Sequence, residues 1–370
     1  MTIEDPSRLA SLGWDARWAD AFAAAIRASG STSASTWSPA RVVAEHRGRY
    51  IVADEHGERS AVLAGRLRHA AASREDLPAV GDWVGIAAAD ADGTTTIRVV
   101  MPRRSAFVRR AVYTVEGQVV AANVDVALIA TALPDDLNLH RLDRYLTLGW
   151  ESGATPVVVL TKADLCDDLP AAIARVRTSA SVPDVLAVSA ETGEGIDRLT
   201  EHLVRGRTAV LLGSSGVGKS TLVNRLLGQT HLRTADVRDD GRGRHTTTHR
   251  ELVTLANAAL LIDTPGMREL QLWNADTGLD TTFADIDELA SRCRFRNCGH
   301  NGEPGCAVAE AVHRGELAAD RFEHWRKLER ELAYMALKQD ERAASAARAR
   351  VRSLTRGVRD HLRRKYGESG

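Results

Sequence analysis

The spacing of apolar and polar positions changes character along the chain. Leu9, Leu12, Trp14, Trp18 and Phe22 follow helical spacing, and the polar run Ser29 to Thr36 behind them reads as a flexible linker. From residue 37 to 105 the apolar runs are short. Arg41 to His46, Arg49 to Ala53, Glu58 to Leu63, Asp82 to Ala87 and Thr95 to Val100 read as strands, with Arg47-Gly48 as a hairpin turn. Such a series predicts a small barrel of the OB-fold type. Between 120 and 275 the period changes. Val124 to Thr131, Pro156 to Leu160, Asp184 to Val188, Thr208 to Leu212 and Ala259 to Asp263 are β-rich runs, most of them separated by helix-like stretches. That alternation predicts a mostly parallel sheet with helices on both faces. From 280 onward the pattern is helical, and no fixed-period repeat is present. The expected division is an N-terminal helical segment and linker (1–36), an OB-fold (37–110), a nucleotide-binding α/β unit (111–275), a helical unit (276–341) and a tail (342–370).

The chemistry sits at the ends of the β-rich runs. Gly213-Ser214-Ser215-Gly216-Val217-Gly218-Lys219-Ser220 fits G-x-x-x-x-G-K-[ST], follows Ala209 to Leu212, and opens a helix-like stretch at Thr221. Its glycines let backbone N–H groups approach phosphates. Lys219 would reach the β- and γ-phosphates, and the Ser220 hydroxyl would ligate Mg²⁺. Asp263-Thr264-Pro265-Gly266 ends a later strand. Asp263 is placed to hold Mg²⁺ and the Gly266 N–H to sense the γ-phosphate. Alone, D-x-x-G is common after strands.

Thr161-Lys162-Ala163-Asp164 follows the run Val157 to Leu160, with Ser189-Ala190 as its supporting segment. The Asp164 carboxylate can accept from N1–H and the 2-amino group of guanine. Adenine offers neither donor, so the same carboxylate would stay unpaired against it. Thr161 stands where the usual tetrad has Asn. Both base-reading segments precede the phosphate loop, whereas an ordinary GTPase has them after it. The order defines a circularly permuted GTPase. Arg244 to Arg250 lies where switch I belongs, and Thr247 is the threonine expected to close on Mg²⁺ and the γ-phosphate. Met267 occupies the position of the usual water-orienting glutamine, which leaves His245, and then His249, as the nearest substitutes. The catalytic expectation therefore rests on His245, Lys219 and Thr247.

Three of the four cysteines fall between 293 and 306, as Cys293, Cys298 and Cys306, with His300 among them. Three thiolates and one imidazole suit structural Zn²⁺ with no open position for catalysis. Cys166 stands apart and reads as a packing residue. Formal net charge is zero, so any pull on nucleic acid must be local. Arg103, Arg104, Arg109 and Arg110 form one local cluster. The final thirty residues form another, with nine basic side chains against three acidic. The N-terminus has no secretory pattern and no run is long enough to span a bilayer, so a cytoplasmic protein is expected.

These motifs, in this order and with this cysteine spacing, resemble the RsgA (YjeQ/YloQ) family of small-ribosomal-subunit-dependent GTPases over most of the chain. The resemblance implies GTP binding and hydrolysis to GDP, Mg²⁺, one Zn²⁺ per chain, and rRNA and the small ribosomal subunit as partners. It implies action late in subunit maturation, with hydrolysis stimulated by the subunit and His245 involved in it. No membrane partner is expected, and a monomer is. The alternatives are a GTPase of another class, such as a tRNA-modification factor, and a zinc-containing RNA-binding module with weak GTPase activity.

Overall fold

The computed structural model describes residues 8–29, 36–46, 48–110, 117–134, 136–179, 184–228, 250–263, 276–334 and 336–337. After two short helices, α1 (Arg8–Ser11) and α2 (Ala16–Ser29), five strands form the barrel: β1 (Ser38–His46), β2 (Arg49–Ala53), β3 (Glu58–Leu63), β4 (Trp83–Ile86) and β5 (Thr95–Val100). They close in the order β1-β2-β3-β5-β4-β1, with β3 and β5 parallel and helix α3 (Gly65–Ala70) between β3 and β4. This is the expected OB-type barrel. A bulge between Val42 and Ala44 bends β1, which pairs with β4 at one end and β2 at the other. Val42, Val52, Val84 and Ile97 fill the barrel interior.

A hairpin, β6 (Ala106–Arg110) and β7 (Gly117–Ala122), leads into the second sheet. There β8 (Val126–Ala132), β9 (Thr155–Thr161), β10 (Val185–Ala187), β11 (Thr208–Leu212) and β13 (Leu260–Asp263) run parallel, and β12 (Arg250–Thr254) is antiparallel to β13. The spatial order is β10-β9-β8-β11-β13-β12. The chain enters this sheet at β8 and reaches the phosphate-loop strand β11 fourth, yet β11 lies between β8 and β13. Helices α4 (Leu139–Glu151), α5 (Leu169–Ser179), α6 (Ile196–His202) and α7 (Lys219–Leu227) connect its strands. Every residue of β8 is buried and all but Thr131 are apolar, as expected of a strand covered on both faces.

Strand β12 also pairs with barrel strand β1, Ala44 opposite Glu251 and Glu45 opposite Arg250, and an Arg250–Glu45 ion pair at 3.1 Å reinforces the joint. Barrel and nucleotide sheet are therefore one continuous eleven-stranded sheet. Behind the joint lies Arg41, 2% exposed. Its guanidinium donates to the carbonyl oxygens of Leu12, Gly81 (3.2 Å) and Asn123 (3.3 Å) and to the Thr208 hydroxyl (2.7 Å). It also lies 5.5 Å from the Trp83 ring centroid. One side chain thus ties α1, the barrel, the hairpin exit and the start of β11 together. Burial pulls its pKa down to about 10, so it stays charged at neutral pH. The N-terminal helices share this core, with Trp14 4.8 Å from Trp83, ring to ring.

The basic cluster expected at 103–110 is corrected in part. Arg103 holds the fully buried Asp82 through two charge-assisted bonds of 2.9 and 2.7 Å, and Arg104 pairs with Asp15 at 2.8 Å while covering the Trp18 ring. Burial pushes the Asp82 pKa up, and Arg103 opposes it. These two guanidinium groups are committed to folding, which leaves them little charge to offer RNA.

The C-terminal layer comprises α8 (Asp276–Thr282), α9 (Ala284–Ala290), α10 (Ala307–His313) and a helix over residues 319–334. It packs on α4. Leu142 and Leu146 of α4 join Leu279, Phe283, Phe322 and Leu328 in one cluster. Beside them, Asp143 lies 3.1 Å from His324 Nδ1 and 3.7 Å from Arg321, which is bound to Asp285 at 2.7 Å.

Candidate nucleotide and zinc sites

Ligands of open parallel sheets bind beyond the carboxyl ends of the strands, where the connection direction reverses. Here β11 is flanked by β8, which precedes it in the chain, and β13, which follows it. The expected groups gather at those ends. Gly213 to Ser220 follows β11, Lys162 to Asp164 follows β9, Ser189 and Ala190 lie just beyond β10, and Asp263 is the last residue of β13.

The loop conformation depends on glycine. Gly213 has φ +140°, and a Cβ there would sit 2.3 Å from the Ala130 carbonyl oxygen. Gly216 and Gly218 take φ +79° and +87° with open space around them, so their requirement is conformational. Val217 between them is buried against Ala130 and Ala132, which anchors the loop to β8. Ser214 is half-buried and Ser215 exposed. Lys219 opens α7 and donates to the carbonyl oxygens of Gly213 (2.8 Å) and Ser214, so its ammonium lies across the mouth of the loop. Ser220 and Thr221 follow in the first turn.

The base-reading segments are held against this loop. Thr161 is 4% exposed, and its hydroxyl lies 2.6 Å from the Val217 carbonyl oxygen and 3.3 Å from that of Thr131. A threonine therefore supplies the cross-tie between the guanine segment and the phosphate loop. Thr161→Val keeps the shape but strands the Val217 carbonyl. It is expected to weaken GDP and GTP alike by about 2- to 10-fold, the worth of one such bond. Titration with a fluorescent GDP analogue checks this, and unchanged affinity would contradict the cross-tie. Lys162 adopts φ +55°, and Asp164 sits exposed in the 3₁₀ turn Ala163–Leu165 that follows. Ser189 is fully buried. Its hydroxyl accepts from Thr192 N–H at 3.1 Å, and the Ala163 N–H donates to the Val188 carbonyl at 3.2 Å, which sets the two segments side by side.

Thr247, His245, His249 and Gly266 lie outside the described residues. Arg250, which ends the segment expected as switch I, opens β12, and Asp263, which begins the expected D-x-x-G segment, closes the adjacent antiparallel strand β13. Strand β12 and the hairpin β6–β7 were not legible beforehand. The alternation in Arg250–Thr254 is short and buries only Leu252 fully.

Cys293, Cys298, His300 and Cys306 converge as expected, each offering one ligand atom, all within 4.8 Å of one another. His300 Nδ1 is 3.7 Å from Cys293 Sγ and 3.4 Å from Cys306 Sγ. Tetrahedral zinc with Zn–S near 2.3 Å and Zn–N near 2.0 Å has edges of about 3.5–3.8 Å. The set therefore fits zinc. Several local features aim the ligands. His300 adopts φ +54°, and Trp325 covers its ring at 5.8 Å. The Glu303 carboxylate accepts the N–H groups of Gly299 (3.1 Å) and Asn301 (2.6 Å). Cys306 caps α10 and accepts from Ala309 N–H. The thiols act on one another: against the burial that opposes it, backbone N–H groups of Val308 and Ala307 draw Cys293 below its usual pKa, while Cys306 and Cys293 push Cys298 up.

A phosphate loop and a guanine segment in permuted order, an OB-type barrel before them and a Cys₃His cluster after them define a circularly permuted P-loop GTPase with a C-terminal helical layer that carries the cluster. Comparison with known proteins agrees. A model of the family described as RsgA GTPase matches residues 100–273. An ABC transporter model matches residues 196–359, a span that contains the same phosphate loop. A Small ribosomal subunit biogenesis GTPase RsgA of Opitutus terrae is 45% identical over 362 residues, covering 95% of this chain and 97% of its own length. One from Lactiplantibacillus plantarum, RsgA 2, is 48% identical over 299 residues, 80% of this chain and 84% of its own. The crystal structure of YjeQ from Thermotoga maritima superposes with a TM-score of 0.61 at 28% identity, covering 80% of this chain and 99% of that one. The chain belongs to the RsgA GTPase family.

Proposed function

We infer that this protein is a GTPase of small-ribosomal-subunit biogenesis, which binds rRNA and hydrolyses GTP to GDP and phosphate under stimulation by the subunit. The observation that carries this reading is the permuted order of nucleotide segments between a barrel and a Cys₃His layer, shared along most of the chain with relatives that bear that name. Asp164 reads guanine, with Lys162, Ser189 and Ala190 shaping the base pocket. The backbone of Gly213 to Gly218 cradles the phosphates, and Lys219 turns from the loop carbonyls to the β- and γ-phosphates. Ser220, Thr247 and Asp263 are the residues that would hold Mg²⁺, which supplies charge neutralisation on the phosphate oxygens. Thr247 and Gly266 respond to the γ-phosphate, and His245 orients the attacking water. Cys293, Cys298, His300 and Cys306 bind one zinc as a structural centre. The protein acts as a cytoplasmic monomer. No helix among the described residues is long and apolar enough to cross a membrane.

Asp164→Asn exchanges an acceptor for a donor. It is expected to weaken GTP binding and to favour xanthosine triphosphate, whose extra carbonyl accepts from the new amide. Competition binding checks this. Wild type that binds ATP as well as GTP would refute the assignment of Asp164.

The tail beyond 341 lies outside the described residues. Its nine basic side chains can neutralise several phosphates, and each contact releases counterions. Deleting residues 342–370 is expected to lower affinity for the small subunit and flatten its salt dependence, while intrinsic hydrolysis survives. Equal affinity and equal salt slope in the truncated chain would remove the tail as an rRNA anchor.

A further inference from the structure

The tip of the zinc loop carries an aromatic ring that the fold does not use. The chain has five phenylalanines. Phe22, Phe107, Phe283 and Phe322 are buried or half-buried, whereas Phe295 is 45% exposed. Its position follows from the metal site. Cys293 and Cys298 both turn inward as ligands, so the residues between them must face outward. The turn is pinned on both sides. The Cys298 N–H donates to the Phe295 carbonyl at 3.2 Å, and the Arg294 N–H donates to the Gly305 carbonyl at 3.0 Å. Gly305 has φ +76°, and a Cβ there would press on the Arg294 stem at 3.1 Å.

We propose that Arg294-Phe295-Arg296 is a stacking platform for an unpaired nucleotide of the small-subunit rRNA, a role that rests on the small subunit being the partner. The Arg294 guanidinium lies 5.5 Å from the Phe295 ring centroid, and Arg294 and Arg296 are both exposed. Among the described residues neither forms an ion pair. Several acids of the flanking segments are already engaged. Glu303 accepts the backbone N–H groups of the zinc loop, Glu288 pairs with Arg292, and Glu310 and Glu316 pair with Arg314. The tip therefore presents one π-face between two unneutralised cations.

That chemistry matches single-stranded RNA, in which a splayed base stacks on an aromatic ring while arginine meets the phosphate. It matches a protein groove poorly. Protein hot spots sit among other apolar groups, whereas the exposed residues that flank Phe295 in sequence, Ser291, Arg292, Asn297 and Gly299, are polar or lack a side chain. Because the metal site fixes the turn, little ordering remains to be done on binding.

The test uses full-length Phe295→Ala, Phe295→Leu and Phe295→Trp chains, each binding purified small subunits and the protein-free rRNA of those subunits. Zinc content and intrinsic GTP turnover are measured alongside. Alanine and leucine are expected to lower affinity for both targets by about 5- to 150-fold, the range of one lost base–aromatic stack. Tryptophan is expected to retain affinity, and zinc content and intrinsic turnover to stay at wild-type levels. Alanine or leucine chains that bind like wild type overturn the proposal. So does a loss confined to the whole subunit, which would make the partner of this tip a ribosomal protein. A wild-type chain that binds no subunit at all would instead refute the functional reading on which the proposal rests.

Discussion

Replacing His245 with alanine is expected to slow subunit-stimulated GTP hydrolysis by about 10²–10⁴-fold, the usual worth of a positioned acid–base or orienting group, with GTP affinity nearly intact. The expectation starts from Met267. A thioether cannot orient water as the glutamine of many GTPases does, so another group must. His245 is a polar group in the segment between α7 and β12, and an imidazole titrates near neutral pH. Strand β12, which leaves that segment, is fixed on one side by β13 and on the other by barrel strand β1. The residue that follows this segment, Arg250, is therefore held at a fixed place in the sheet. A split between turnover and binding is the diagnostic readout. Loss of both would make His245 structural, and unchanged turnover would shift attention to His249 or to a group supplied by the subunit.

Cys298→Ala is expected to reduce bound zinc from one per chain to near zero and to unfold the loop between α9 and α10. Structural zinc contributes about 10–16 kcal/mol of apparent binding free energy in small domains, and that energy is coupled to folding. Elemental analysis and hydrogen exchange across residues 291–313 read the two effects. The GTPase core has a second apolar cluster, built from Leu128, Val159, Leu186, Leu222 and Leu261, in which the zinc layer takes no part. Guanine nucleotide binding should therefore persist. The α4 face carrying Leu142 and Leu146 shares its core with the C-terminal layer. Loss of zinc should therefore also lower overall stability and promote aggregation. Wild-type protein purified without chelators that contains no zinc would refute the site.

Much of the molecule was legible because its signals are local. The barrel strands and the parallel strands are runs of a few residues between turns, and the structure places them within one or two positions of the expected limits, except that β1 begins three residues earlier, at Ser38. The phosphate loop and the Cys₃His set are each closed within fourteen residues. Features that depend on distant partners were not legible. Arg41 looks like any strand arginine until the fold brings Leu12, Gly81, Asn123 and Thr208 around it. Arg103 and Arg104 read as RNA-facing charge because Asp82 and Asp15 are 21 and 89 residues away in sequence. In sequence, Thr161 is only a departure from the usual Asn of the guanine tetrad. Its hydroxyl bond to Val217 crosses 56 residues of chain and exists only because the permuted segments reunite at one sheet edge.

If the reading above holds, the GTPase chemistry of this chain is switched on by the small ribosomal subunit. GTP turnover by the purified protein, measured with and without purified small subunits and with large subunits as control, tests it most directly. Intrinsic hydrolysis is expected to be slow and to rise many-fold with small subunits alone. Turnover that is indifferent to small subunits, or raised equally by large ones, would contradict it.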